Sequence, residues 1–397
     1  MLKLSNQQIQ DLLNTKATAE DGLNDILKMT LNAIMYSERK EFLRLKNNKE
    51  NKANGYRPIK VQGYGKLLQL AIPRDRLAMF KPIFMLHLED ENKNLQNMCF
   101  ELYKEGLTTS KISKILDKVF HTKYSKSSIS NMSQTFCESL KQWRERKLDN
   151  RYVALYIDAI HAKVRRETVQ GEAFCVALGV REDFTREVIA MYNSPTESAA
   201  AWEEVLKDIK QRGVEKIDLV VADGLPGLEE KVLTHFPEAL FQKCVTHLKR
   251  NILTKIRPQD KPAMVADLEC LFDVSDNTHT KEKAYTIAAD LREKWGKKYP
   301  ALKKMLDPEA LRPYLTCLDF NFKIRTMIYT TNWIERLNKE FRRALKIRNA
   351  MPSVDSVLFL LSAIARDMEE GTYSYPVSNL GYEPKFLSQD MTLMYHE

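Results

Sequence analysis

The sequence lacks the features that identify several large classes of protein. Its 397 residues contain no apolar run that approaches the roughly 18 residues of a membrane span. The first residues form a polar amphipathic pattern rather than the apolar stretch of a signal peptide. The six cysteines, at positions 99, 137, 175, 244, 270 and 317, are scattered without pairs. We therefore expect no membrane partner and no disulfide framework, as in a protein of a reducing cytosol.

A nucleotide-binding loop is also missing. No G-x-x-x-x-G-K-[ST] motif occurs in the chain, and the segment Gly63-Tyr64-Gly65-Lys66 lacks its spacing. This absence argues against chemistry driven by a nucleoside triphosphate. The length of the chain predicts two to four structural units.

Positive charge is in excess and is unevenly distributed. The chain has 62 Lys and Arg residues against 53 Asp and Glu residues, a net charge of +9. Residues 1–150 hold 26 basic and 17 acidic residues, and those of the remainder cancel at 36 each. Within that remainder, residues 323–348 contain eight Lys or Arg and two Glu. Basic patches bind the phosphates of nucleic acids, although a basic balance is also common in other proteins.

Two aspartates lie in or directly after predicted buried strands. Asp158 interrupts the β-branched and aromatic run of residues 152–165, where a carboxylate is costly unless it is paired or binds a metal. Asp223 ends a short apolar strand over residues 217–222, and a helix over residues 225–236 follows. In open α/β sheets the carboxyl ends of strands face the functional crevice. A strand-end aspartate alone more often caps a helix or forms a turn, so only Asp158 and Asp223 together with a further acid indicate a functional site.

A strongly basic helix with one acidic residue near its apolar edge is predicted after residue 330. Its apolar residues recur every three to four positions, at Ile334, Leu337, Phe341 and Leu345. Glu335 shares its side of the helix with Asn338, Lys339, Arg342 and Lys346. Glu335 is either an ion-pair partner of these cations or a metal ligand beside cations that hold a phosphate backbone. We expect Arg342, Arg343 and Lys346 to contact DNA phosphates, with Arg342 and Lys346 nearer the face of Glu335.

The order of the predicted elements indicates a ribonuclease-H-like α/β fold. The pattern predicts strands and helices in the order 152–165, 173–180, 187–193, a helix over 195–212, strand 217–222, a helix, and a strand near 239–244. Ser194 and Glu197 have the spacing of a capping box, with Pro195 at the first helical position. In the ribonuclease-H-like fold the first strand and the end of the fourth lie side by side. An acidic residue on each can meet a third one on a late helix.

Four motifs, in residues 156–165, 221–227, 242–251 and 330–338, have a specific order and separation. Through them, the chain from about residue 54 to about residue 368 resembles the Mutator-type transposases, which include many bacterial insertion-sequence transposases. The resemblance implies that Asp158, Asp223 and Glu335 are the catalytic acids. Members of that family commonly have a small residue where this chain has Trp333.

The resemblance also implies the chemistry and the partners. The three acids would hold two Mg²⁺ (or Mn²⁺) ions per active site, since these cations prefer oxygen ligands. Two such ions can stabilise the attacking and leaving oxygens of an in-line displacement. One strand would be cut at the end of a mobile element, and its freed 3′-hydroxyl would attack another phosphodiester. The expected partners are the terminal inverted repeats of the element, target DNA and further copies of the chain, as a homodimer or higher oligomer, in the bacterial cytoplasm at the nucleoid.

The N-terminal region is interpreted as a DNA-recognition region. Two short amphipathic helices are predicted within residues 102–145, and the second begins with small polar residues and a lysine. Such a helix suits the major groove of DNA, and its candidate contacts are Lys126, Ser127, Ser128 and Asn131. The alternative is that any pair of short amphipathic helices has this pattern. The expected organisation is 1–100 with a short β element for end binding or dimerisation, 101–150 helix-turn-helix-like, 151–250 catalytic core, 251–325 all-helical insertion, 326–372 catalytic core with the Glu335 helix, and 373–397 tail.

Cys244 and His247 form a C-x-x-H motif after the last predicted strand of the first core segment. A zinc site needs three or four ligands, and no second pair lies near in sequence. We favour a structural or DNA-positioning role for this motif over metal binding.

Two other hypotheses remain open. A domesticated relative would bind DNA without cutting it, and the intact Asp158, Asp223 and Glu335 argue against this. A ribonuclease-H-like nuclease or resolvase unrelated to transposition is opposed by the basic N-terminal region and by the long segment between Asp223 and Glu335.

Overall fold

The computed structural model describes residues 20–46, 50–62, 67–120, 124–134 and 136–387. It divides the chain into two compact units, Met1–Thr135 and Phe136–Glu397. Helices and sheets both contribute to the described residues, which confirms the predicted α/β class. No helix in the described segments is long and apolar enough to cross a membrane.

The first unit combines helices with one antiparallel hairpin. Its elements are helix α1 (Glu20–Leu45), strands β1 (Ala53–Gln62) and β2 (Leu67–Asp75), and helices α2 (Ile83–Lys104), α3 (Thr109–Phe120) and α4 (Lys126–Gln134). Alternate residues of β2, Leu68, Leu70 and Ile72, are buried against Met35 of α1, as the two-residue period of a strand requires. The predicted β element is therefore observed, whereas Gly63 and Gly65 lie outside the described residues.

The second unit begins with a helix and continues as alternating strands and helices. Its elements are α5 (Cys137–Arg144), β3 (Arg151–Tyr152), β4 (Ala154–Arg165), β5 (Val169–Val180), β6 (Arg186–Ser194), α6 (Ala199–Gln211), β7 (Lys216–Ile217), β8 (Leu219–Ala222), α7 (Leu228–His235), β9 (Leu240–Lys243), α8 (Val245–Thr254), α9 (Lys261–Leu271), α10 (Lys281–Gly296), α11 (Pro300–Met305), α12 (Pro308–Leu311), α13 (Phe322–Ile328), α14 (Asn332–Arg348), β10 (Ala350–Met351) and α15 (Val354–Glu370). The second of the two amphipathic helices predicted within residues 102–145 is thus divided into α4 and α5.

A six-stranded sheet organises the second unit. Its order is β6-β5-β4-β8-β9, with β10 also paired to β4. β4 runs antiparallel to β5 and parallel to β8, and β8 runs parallel to β9. Strand β4 is nearly continuous in buried residues because it lies at the centre of this sheet. The carboxyl end of β8 therefore lies beside the first half of β4, where Ala222 pairs with Ile157.

Helix α6 covers one face of the sheet, but it does not begin where the sequence predicts. Its predicted apolar stripe, Trp202, Val205, Leu206 and Ile209, is buried, which confirms the orientation of the helix. The capping box predicted at Ser194 and Glu197 is wrong. Ser194 still pairs with Ala173 as the last residue of β6, so it cannot enter a helix. The cap is Ser198, whose hydroxyl oxygen accepts a hydrogen bond from the amide of Ala201 at 3.2 Å.

The segment between β9 and α14 is mainly helical, as predicted for residues 251–325. Helices α8 to α13 occupy most of it. Both ends of this segment return to the sheet: the amide of Val245 donates to the carbonyl of Tyr329 at 3.0 Å. The helical segment between β9 and α14 therefore begins and ends next to the carboxyl end of β8.

Candidate active site

Asp158 lies on the central strand β4, in a half-buried position. Its Oδ1 accepts a hydrogen bond from the amide of Ala159 at 2.8 Å, and its Oδ2 accepts one from Nδ2 of Asn338 at 2.7 Å. Burial and the negative charge of Asp223 raise the pKa of Asp158 to about 6, against the opposing effects of these hydrogen bonds and of Arg342. The negative charge of Asp158 is therefore destabilised in this position, and a bound cation would stabilise it.

Asp223 reaches the same place through the register of two parallel strands. Ile157 of β4 pairs with Ala222 of β8, so the next residues, Asp158 and Asp223, lie opposite each other at adjacent strands about 4.8 Å apart. The next residue, Gly224, has little room for a side chain, because a β-carbon there would lie 2.9 Å from the hydroxyl oxygen of Tyr314. The predicted meeting of these two aspartates is thus a consequence of strand pairing.

Glu335 lies in the first turn of α14, on the helix that is hydrogen-bonded to Asp158. Its Oε1 accepts a hydrogen bond from the hydroxyl of Thr331 at 3.1 Å. Asn338, one turn later on the same side, supplies the bond to Asp158. The structure therefore brings the Glu335 helix to the two aspartates, with Asn338 as the contact.

Trp333 joins this helix to β4. Its ring stacks on Tyr156, with ring centroids 6.1 Å apart and an interplanar angle of 14°. The guanidinium of Arg186 lies 4.6 Å from the centroid of the Trp333 ring, within the range of a cation–π contact. The hydroxyl of Tyr156 donates to the carbonyl of Met327 at 3.0 Å. The large side chain is accommodated by packing between the helix and the strand that carries Asp158.

Cys244 and His247 lie at the start of α8, directly beside Asp223. Nδ1 of His247 is 2.7 Å from Oδ1 of Asp223, yet both atoms are buried without a well-directed hydrogen bond. We interpret the contact as an ion pair, because its distance is short while its angle suits a hydrogen bond poorly. The close contact with the Asp223 carboxylate, together with that of Cys244, raises the pKa of His247 to about 10. Burial opposes the charge on Cys244, but contacts with His247 and Thr331 outweigh it and lower the pKa of the thiol.

The donor set fits a divalent cation. Within the described residues, the potential ligand atoms that lie within 4.8 Å of one another belong to Asp223, Cys244 and His247; Asp158 and Glu335 stand outside this tight group. Oδ1 of Asp223 is buried and lacks a hydrogen-bond partner. His247 faces Oδ1 of Asp223, which leaves Oδ2 of Asp223 beside the carboxylate of Asp158, and adjacent carboxylates suit hard cations such as Mg²⁺.

Glu197 is a neighbour of this site that the sequence interpretation missed. Burial and the charge of Asp223 raise the pKa of Glu197, while His161 and His247 oppose the increase. Glu197 directly precedes Ser198, the residue that caps the helix. The sequence analysis assigned Glu197 to a capping box because it lies three residues after Ser194, so it was not considered as a site residue.

The predicted cations of α14 differ in their contacts. Arg342, Arg343 and Lys346 are all exposed. Nε of Arg343 lies 3.1 Å from Oε2 of Glu340, its neighbour three positions earlier. Neither Arg342 nor Lys346 forms an ion pair with any residue in the part of the chain that the structure describes, and Arg342 is close enough to Asp158 to lower its pKa. Arg342 and Lys346 are thus exposed cations of this helix that are available to an anionic partner.

The other predicted DNA contacts belong to α4 of the first unit. Lys126, Ser127 and Asn131 are exposed, and Ser128 is half-buried. The hydroxyl of Ser125 accepts from the amide of Ser128 at 3.0 Å and lies 2.8 Å from the hydroxyl of Ser127. Ser125 and Ser128 therefore hydrogen-bond at the start of the helix, and Lys126, Ser127 and Asn131 are exposed.

Comparisons with known proteins give a consistent result. A sequence model described as "Transposase, Mutator family" matches residues 2–374. The chain is 30% identical over 361 residues to the transposase for insertion sequence element IS1201 of Lactobacillus helveticus, covering 89% of this chain and 94% of that protein. It is 29% identical to the transposase for IS905 of Lactococcus lactis, covering 91% and 90%. It is 27% identical to the transposase for IS256 in transposon Tn4001 of Staphylococcus aureus, covering 94% and 96%.

Proposed function

The chain belongs to the Mutator family of transposases, and we propose that it cuts and joins DNA strands with Asp158, Asp223 and Glu335 as its catalytic acids. Transposases act on DNA, so DNA is the substrate. The proposed reaction replaces one phosphodiester by another, so it needs neither a covalent protein nucleophile nor a nucleoside triphosphate.

Two contacts at Asp158 support the proposal, and both are seen in the structure. The pairing of Ile157 with Ala222 sets Asp158 opposite Asp223, and the hydrogen bond from Asn338 holds the Glu335 helix against Asp158. The strand order, with three antiparallel strands followed by two parallel ones, supports a ribonuclease-H-like catalytic core. In that interpretation, the helical segment between β9 and α14 is an insertion domain.

The three acids would hold two Mg²⁺ or Mn²⁺ ions. Such ions, when bound, stabilise the charges on the attacking and leaving oxygens of an in-line displacement. The residues of this chain prepare the site for them. Asn338 and the Ala159 amide fix the two oxygens of Asp158, and Thr331 orients Glu335.

Exposed cations would hold the DNA. Arg342 and Lys346 are exposed on the same helix as Glu335, so backbone phosphates bound there would lie beside the acids. Contacts of this kind position the duplex without reading its sequence. Helix α4, with Lys126 and Asn131, is the proposed element for recognising the ends of the mobile element. Two ends must be brought together in transposition, so we propose a homodimer or higher oligomer as the active form.

The experiment compares cutting with binding. Asp158→Asn keeps the shape of the side chain but removes the charge that attracts the cation. This variant should lose strand cleavage and strand transfer by at least about 100-fold in Mg²⁺, as expected when an electrostatic group of the reaction is removed. Its affinity for DNA of the element ends should stay within a few-fold.

The matched control is Asp290→Asn, an exposed aspartate on α10, which should cleave like the unchanged protein. Full cleavage by Asp158→Asn in Mg²⁺ would exclude Asp158 from the reaction. Binding without cleavage by the unchanged protein, in both Mg²⁺ and Mn²⁺, would instead indicate an inactive DNA-binding relative.

A further inference from the structure

We propose that Thr331, Cys244 and His247 form a polar connection that positions Glu335 and Asp223 relative to each other. The inference rests on the proposed function, since it concerns the same acids. These three residues are positioning residues: they would act on the metal-binding geometry of the carboxylates without touching DNA.

The connection consists of successive short contacts. The hydroxyl of Thr331 lies 3.1 Å from Oε1 of Glu335 and 3.4 Å from Sγ of Cys244. The Cys244 sulfur, the nearest His247 ring nitrogen and an Asp223 oxygen all lie within 4.8 Å of one another. His247 then meets Asp223 at 2.7 Å. Two acids that stand 112 positions apart in the sequence are thereby linked through three side chains.

Thr331 does not play the part that its position in the helix predicts. It stands at the N-cap of α14, where a threonine normally accepts a hydrogen bond from a backbone amide of the first turn. Its side chain makes no such cap. The hydroxyl is directed instead to Cys244 and Glu335, so the usual stabilisation of the helix end is given up for these contacts.

The connection is buried in its middle and fixed at the backbone. The side chains of Thr331 and Cys244 are inaccessible to solvent, and hydrogen bonds are stronger where water is excluded. The amide of Cys244 donates to the carbonyl of Ala222 at 2.8 Å, directly before Asp223. The amide of Val245 donates to Tyr329, just before Thr331, at 3.0 Å. The neighbouring amides of Cys244 and Val245 therefore hold the end of β8 and the segment just before α14.

The contact with His247 also determines how Asp223 can bind a cation. Oδ1 of Asp223 faces the His247 ring at 2.7 Å, so the other oxygen is the one left for a metal ion, and rotation of the carboxylate is restricted. Residues that orient metal ligands through such contacts typically change metal affinity by 10- to 100-fold when they are removed. A residue that only fills space would change stability and leave metal affinity as it was.

The test measures binding of Mn²⁺ by electron paramagnetic resonance, together with the Mg²⁺ dependence of strand cleavage, in the full chain. We expect His247→Asn and Thr331→Val to weaken Mn²⁺ binding about 10-fold or more, and to raise the Mg²⁺ concentration needed for half-maximal cleavage equally. Thr331→Ser is the matched control, because it keeps the hydroxyl, and it should bind Mn²⁺ within about 2-fold of the unchanged protein. His247 is partly exposed, so its variant should fold even if Thr331→Val does not.

Two results would overturn the proposal. One is Mn²⁺ affinity in His247→Asn equal to that of the unchanged protein. The other is a sulfur-to-metal absorption band with Co²⁺ that Cys244→Ser removes, because the three groups would then be metal ligands themselves. If Asp158→Asn cleaves normally, the proposed function fails. If it is inactive while His247→Asn binds Mn²⁺ normally, only the positioning role fails.

Discussion

Replacing Asp158 by asparagine should make the metal-free protein more stable, although it abolishes the proposed activity. The reason is the raised pKa of Asp158, from the ordinary value of 3.8 to about 6, which burial and the charge of Asp223 cause. The folded protein keeps the proton up to about pH 6, whereas the unfolded chain releases it near 3.8. Folding therefore takes up a proton between these values. The contribution of Asp158 to stability falls as pH rises through this window and stays unfavourable above it.

The size of the effect follows from the same numbers. Each tenfold change in an acid dissociation constant corresponds to about 1.4 kcal/mol, so the displacement of the pKa amounts to about 3 kcal/mol at neutral pH. The amide of the variant gives back about 1 kcal/mol, because bonds to a charged acceptor become neutral ones. Rotation of the Asn338 side chain limits this loss, since its buried Oδ1 lacks a hydrogen-bond partner and can accept from the new amide. A net gain of about 2 kcal/mol remains.

The assay is thermal unfolding in a chelating buffer. At about pH 8 the variant should melt roughly 4 °C above the unchanged protein, given about 2 °C per kcal/mol for a unit of this size. The advantage should shrink at about pH 5, where the folded carboxyl already carries its proton. Adding Mg²⁺ should stabilise the unchanged protein and not the variant.

Asp290→Asn, on the exposed face of α10, is again the control and should not change the melting temperature. A variant at Asp158 that melts at or below the unchanged protein at about pH 8 would refute the reasoning, because the carboxylate would then be satisfied without a cation.

Two further predictions concern the DNA surface and the start of α6. Changing Arg342 and Lys346 together to alanine should weaken specific and non-specific DNA alike and reduce the salt dependence of log K by roughly 0.9 per lost contact. Arg343→Ala, in a position already paired with an acid, should change it less, and equal slopes in all proteins would make the helix a scaffold for its acid alone. Ser198→Ala should destabilise the second unit by about 1 kcal/mol in urea unfolding, whereas Ser194→Ala should destabilise it by less than half of that. Equal losses of stability in the two variants would indicate that Ser194 caps the helix, as the sequence predicted.

The parts of the site that depend on local pattern could be predicted from the sequence. The buried strand around Asp158 and the apolar strand before Asp223 are each recognisable from the apolar residues of one continuous segment. Parallel pairing of those strands then brings the two aspartates together without any further information. The apolar stripe of α14 likewise determines which side of that helix faces the sheet, and hence which side carries Glu335.

Contacts between distant segments could not be predicted. The bond from Thr331 to Cys244 joins residues 87 positions apart, and that from Asn338 to Asp158 spans 180 positions. Neither pair has a spacing that a helix or strand period can reveal. The misplaced cap of α6 has another cause: pairing of β6 with β5 extends the strand through Ser194, so tertiary structure overrides a local signal. Arg343 pairs with Glu340 three positions earlier, a contact that the count of charges in residues 323–348 did not reveal.

The span between Asp158 and Asn338 also has a consequence for how the protein is made. A chain elongated at roughly 5–20 residues per second needs roughly 10–40 s to proceed from the first of these residues to the second. Strands β4 to β9, which carry or adjoin both aspartates, can pair in that interval. The helix with the third acid has not yet been made. Strand β10, which closes on β4, comes later still. A ribosome therefore presents a chain that has both aspartates and lacks the third acid throughout this interval, and the acid cluster is complete only after α14 has been made.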